Sequence, residues 1–173
     1  MRSLSSQELM TICDGHWIPG RTVEYGRFVE AYNELATRGP EIRDWSRGLL
    51  THPDYDAREC GAFLLGQLGG RGQLGSAVEA VVSELGALTR RPVEEDQKET
   101  QAIDAAIGAL AEIGSPAGVQ YLRAVLLSED EFLLGDTQWG AADALERLVG
   151  EPFMETADPV GAARVWLASR PQV

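Results

Sequence analysis

Three stretches of the chain repeat one helix: ARECGAFLLGQLG (57–69), AIDAAIGALAEIG (102–114) and QWGAADALERLVG (138–150). At offsets of 45 and 35 residues, Leu65, Leu110 and Leu145 superpose, as do Leu68, Ile113 and Leu148, and the small residues Gly61, Ala106 and Ala141. Such a period constrains the fold more than composition can, because each unit buries its apolar face only against its neighbours. The ten-residue difference between the offsets falls in TRRPVEEDQKE (89–99), whose proline and charges suit a long loop.

Each segment is helical by period. Ile103, Ala106, Ile107, Leu110 and Ile113 recur at spacings of three and four, one stripe of a 3.6-residue helix. Small residues at the shared 61/106/141 position let helices approach closely, and Gly69 and Gly114 fall where a C-terminal cap wants positive φ. A second apolar helix follows each segment, at 74–89, 116–128 and 159–169. Pro116 and Pro159 open the last two, where a missing N–H costs nothing. A further pair is expected at 23–38 and 40–51, joined by Gly39–Pro40, after a short capping helix from Ser5 to about Cys13. First helices at 54–69, 95–113 and 136–149 complete the set, and no stretch alternates like a half-buried strand. The expected fold is all-α, one domain of about four antiparallel helix pairs in residues 23–173 behind an N-terminal cap at 1–22.

A chain of 173 residues can bury roughly 70% of its unfolded surface, so it needs neither disulfides nor a structural metal. Two cysteines then suit reduced thiols in a cytoplasm, and no apolar run approaches the roughly 20 residues of a membrane span. The first dozen residues carry acid and lack the apolar core of a signal peptide. Charge is uneven. Residues 1–93 hold 12 acids and 10 bases, net −2, whereas 94–173 hold 15 acids and 5 bases, net −10. A field of that sign repels phosphate backbones and attracts basic surfaces, so the expected partner is a protein with a basic surface, not nucleic acid or membrane.

LLTHPDYDARECGAFLLGQLG (49–69) resembles the HEAT-like repeats of bacterial proteins. There a Leu-Leu helix end leads through a short polar turn and an A-R pair, here Ala57–Arg58, into an Ala-rich helix ending L-G-x-L-G. The 102–128 stretch shares Leu110, Ile113, Gly114 and Pro116, while the third unit departs, with Trp139 intruding and no A-R pair. The resemblance covers about residues 40–150. It implies a right-handed α-solenoid whose second helices line the concave face, which puts Asp44, Arg47, Glu79, Ser83, Gln120 and Arg123 on or near it. It implies protein-binding scaffolds in the main and enzymes in some cases.

GRGQLG (70–75) matches the dinucleotide fingerprint letter for letter, but a helix precedes it where that motif needs a strand, so it reads as an inter-helix turn. Cys13, His16, His52 and Cys60 have the residue types of a zinc site, yet H-x7-C is no usual half-site. SEDEFLLGD (128–136) lacks the alternating oxygen ligands of a calcium loop and reads as a solvated loop, or as one that meets a basic partner. No metal or cofactor is implied.

At 100° per residue, Trp139 points about 120° from the buried centre set by Ala141, Leu145 and Leu148, beside Asp143 and Glu146. It either packs on the following repeat or anchors an interface. The expected protein-binding set is therefore Glu129, Asp130, Glu131, Asp136, Trp139, Asp143 and Glu146. Two function classes follow. One is a non-catalytic binding module, such as an acidic immunity-type inhibitor or adaptor. The other rests on Trp139 and Asp143, which resemble the Trp-x-x-x-Asp pair of HEAT-like DNA alkylation-repair glycosylases, although the basic surface that holds DNA is missing here.

Overall fold

The computed structural model describes residues 4–18, 23–93 and 98–170. Those residues form nine α-helices and no strand. They are α1 (Ser6–His16), α2 (Tyr25–Leu35), α3 (Arg43–Leu49), α4 (Tyr55–Gly70), α5 (Val78–Leu88), α6 (Lys98–Ile113), α7 (Val119–Leu126), α8 (Asp136–Val149) and α9 (Pro159–Ala168). Among the described residues no helix is long and apolar enough to cross a membrane.

Local chemistry fixes the helix starts. Ser5 caps α1 reciprocally: Glu8 N donates to Ser5 Oγ at 3.3 Å, and Ser5 N donates to Glu8 Oε2 at 2.8 Å. Asp54 caps α4, accepting from Asp56 N at 2.9 Å, and Asp158 caps α9, accepting from Gly161 N at 2.9 Å. Pro116 opens a 3-10 turn, Pro116–Gly118, that feeds α7, so the α-helix proper begins three residues later than its periodicity suggests. Gly75–Ala77 delays α5 in the same way. The capping helix α1 runs beyond Cys13 to His16, and residues 94–97, which include the start of the helix expected at 95–113, lie outside the described residues.

Helices α4, α6 and α8 lie side by side in one layer, and α3, α5, α7 and α9 cover it in a second. The first layer is drawn tight by small residues. A Cβ at Gly66 would sit 2.9 Å from Ala109 Cα. Gly69 corrects the capping expectation: it is helical, and a Cβ there would collide with Ile113 Cγ1, so its role is close approach. Positive φ occurs instead at Gly72, where α4 ends, and at Gly114 as expected.

Side chains tie the second layer together. Arg47 on α3 pairs with Glu84 on α5 at 2.5 Å. Arg90 stacks 4.8 Å over the Tyr121 ring, and Arg123 Nη1 donates to Leu167 O at 3.2 Å. Between the layers, Leu65, Leu110 and Leu145 are fully buried, with Leu64, Leu85, Ile103 and Leu122 around them. The repeat register is thus the register of the core.

Candidate functional site

The offsets that align the buried positions also order the exposed ones. They set Glu59, Asp104 and Trp139 in one row and Phe63, Gly108 and Asp143 in the next, on α4, α6 and α8. Trp139 is 53% exposed and Phe63 43%, so neither large ring packs inside. Asp143, one turn beyond Trp139, is half-buried.

The carboxylates along this face repel one another. Burial raises the Glu59 carboxyl above its ordinary value, and Asp56 and Asp104 raise it further. Asp104 is an exposed residue whose carboxyl turns toward the start of α8. Partial burial raises it, Asp136 adds to the rise, and a hydrogen bond with Thr137 opposes it. A carboxyl whose folded pKa lies above its unfolded value destabilises the fold at high pH, and that cost disappears as pH falls through the folded and then the unfolded value. Glu59→Gln is therefore expected to melt at a higher temperature than the parent at pH 7, with the gain fading as pH falls into the ordinary carboxylate range. A melting temperature at or below the parent's at pH 7 would show that the Glu59 carboxylate is not destabilised by its burial and its acidic neighbours.

The acids expected on the C-terminal loop divide by role. Glu129, Glu131 and Asp136 are exposed. Asp130 is half-buried and its Oδ1 accepts from Phe132 N at 3.0 Å, capping the 3-10 turn Glu131–Leu133. The run SEDEFLLGD is thus no wholly solvated loop, because Leu133 is buried within it. Glu146 accepts from Met154 N at 2.6 Å and holds the turn before α9.

The second-helix candidates divide likewise. Arg47 is engaged with Glu84, and Arg123 with the backbone carbonyls of Leu167 and Arg170, so both act as ties between helices. Asp44 is exposed beside Arg43, 3.0 Å from its Nε, and Glu79, Ser83 and Gln120 are exposed. Glu59, Phe63 and Asp104 escaped the sequence analysis, although the repeat offsets applied to exposed positions select them directly.

Burial pushes the Cys13 and Cys60 thiols up to about 12, which leaves both as protonated, unreactive groups at neutral pH. Among the described residues no three metal-ligating side chains gather. No family model matches the chain, and no curated protein matches its sequence.

Proposed function

We propose that the chain is a non-catalytic HEAT-like repeat module that binds a protein with a basic surface, in the manner of an immunity-type inhibitor or adaptor. The observation that carries this reading is the half-exposed Trp139 at the end of the row formed with Glu59 and Asp104, two carboxyls raised by burial and by neighbouring acids. A cationic partner relieves that repulsion, and the indole supplies an apolar anchor inside the polar rim. The docking face in this reading is the outer side of α4, α6 and α8, not the second helices. The exposed Glu129 and Glu131 lie close in sequence and steer the approach.

The test is a pull-down from the source organism followed by kinetics with the captured protein. Trp139→Ala is expected to cost upwards of about 2 kcal/mol, mainly by faster dissociation. Charge reversal at 129–131 is expected to slow association and flatten its salt dependence, which is steepest as the Debye length shrinks to about 8 Å. If neither change alters binding, the partner docks elsewhere. The glycosylase-type reading is tested in parallel by release of alkylated base from DNA at low salt. Release that is lost in Asp143→Asn would replace the binding-module reading with the enzyme.

A further inference from the structure

Between α2 and the first turns of α4 lies a cavity of about 330 Å³, bordered by His16 at the end of α1. Its α2 wall carries Tyr25, Phe28 and Tyr32, spaced three and four residues apart so that they share one face. Their ring centroids follow one another at 6.3 Å and 6.1 Å, and His16 stacks on Phe28 at 4.2 Å. The opposite wall carries Asp56 and Glu59.

Two features of this cavity are out of keeping with simple core packing. Tyr25 is 70% exposed, so its ring borders the cavity without being buried in the fold. Glu59 is partly desolvated, and the charges that act on it, Asp56 and Asp104, share its sign. Glu59 therefore presents a partly dehydrated carboxylate opposite the rings. Aromatic faces attract a cation through their quadrupole, most strongly when the cation is stripped of water. A bare ammonium is strongly hydrated and needs acceptors for three N–H groups, which aromatic rings do not supply. An alkylated ammonium carries the same charge, has fewer or no N–H groups to satisfy, and presents methyl groups to the rings.

We propose that this cavity binds an alkylated ammonium group, held by Tyr25 and Tyr32 with Glu59 as the counter-charge and Phe28, stacked on His16, as the floor between the two tyrosines. The volume is at the small end of the range for ligand sites, enough for a head group and a short stem. The group has two natural sources, a free small cation or a methylated lysine side chain, and both present the same chemistry. The cavity shares Glu59 with the carboxylate row of the proposed docking face, but a small-cation titration of the chain alone reads it without any protein partner.

The experiment is isothermal titration of the full chain at pH 8 with choline and with its neutral carbon isostere, 3,3-dimethyl-1-butanol. A short peptide bearing trimethyllysine and its unmethylated counterpart are titrated alongside. Choline is expected to saturate with a Kd in the range of about 0.1–10 mM, with the neutral isostere at least about tenfold weaker. Tyr25→Ala is expected to weaken choline binding about fivefold and Glu59→Gln about tenfold, with unchanged far-UV circular dichroism in both. Tighter binding of the trimethylated peptide than of choline assigns the side-chain source, and the reverse assigns the free cation. The proposal is overturned by absence of choline saturation below about 50 mM, or by equal binding of the neutral isostere. It is equally overturned if the unmethylated peptide matches the trimethylated one, or if both variants bind choline as the parent does.

Discussion

Leu110→Ala should lower the unfolding free energy by about 2–5 kcal/mol, read as a fall in the urea midpoint at unchanged slope. Leu110 is fully buried on α6, the middle helix of the first layer. Its neighbours cannot easily collapse into the space it leaves. On one side α6 is already against α4, where a Cβ at Gly66 would meet the Ala109 backbone at 2.9 Å. Toward α7 the backbone is close as well, since a Cβ at Gly118 would lie 3.7 Å from Leu110 Cβ. A site that cannot relax keeps its cavity, and the cost moves toward the upper end of the range. Leu127→Ala is the control: Leu127 is 49% exposed, and its loss should change stability by no more than about 0.5 kcal/mol. Equal effects at the two positions would mean that the repeat register does not define the core.

That register explains what could be read from the sequence and what could not. Period alone placed Leu65, Leu110 and Leu145, and all three are fully buried. It failed at helix entrances, because Leu74 keeps the four-residue step to Val78 although the 3-10 turn Gly75–Ala77 intervenes, and because Pro116 suits the first position of a 3-10 turn as well as that of an α-helix. Gly69 was misread for a different reason. A glycine that caps a helix and one that admits a neighbouring helix look alike locally, and only the position of Ile113 tells them apart.

The acidic run at 128–136 misled through composition, since nothing local signals that Leu133 turns inward. For the site, helical angle alone predicted the direction of Trp139. The Glu59–Asp104 row needed only the same offsets used for the core. By contrast, Tyr25, Phe28 and Tyr32 read in sequence as an ordinary apolar stripe, and the cavity beside them exists only once α4 brings Asp56 and Glu59 opposite.

Arg58→Ala is the other large effect, with an expected cost of about 3–5 kcal/mol for removing one partner of a buried ion pair. Arg58 is 3% exposed. Its Nη1 donates to the carbonyls of His52 at 2.5 Å and Pro53 at 2.8 Å, while Nη2 pairs with Glu99 at the start of α6. One guanidinium therefore fastens the turn before α4 to the next first-layer helix. The fork geometry matters, so Arg58→Lys should recover only part of the loss. The two sides of the clamp are unequal. Without Arg58, Glu99 retains Arg91, whose Nε lies 3.1 Å from Oε1, but the His52 and Pro53 carbonyls lose this donor. Without the Glu99 charge, Arg58 keeps both carbonyls. Glu99→Gln should accordingly cost less than Arg58→Ala when both are measured by urea unfolding at pH 7. If the order is reversed, the ion pair and not the carbonyl grip holds the turn, and Arg58→Met with Glu99→Leu should then restore most of the stability.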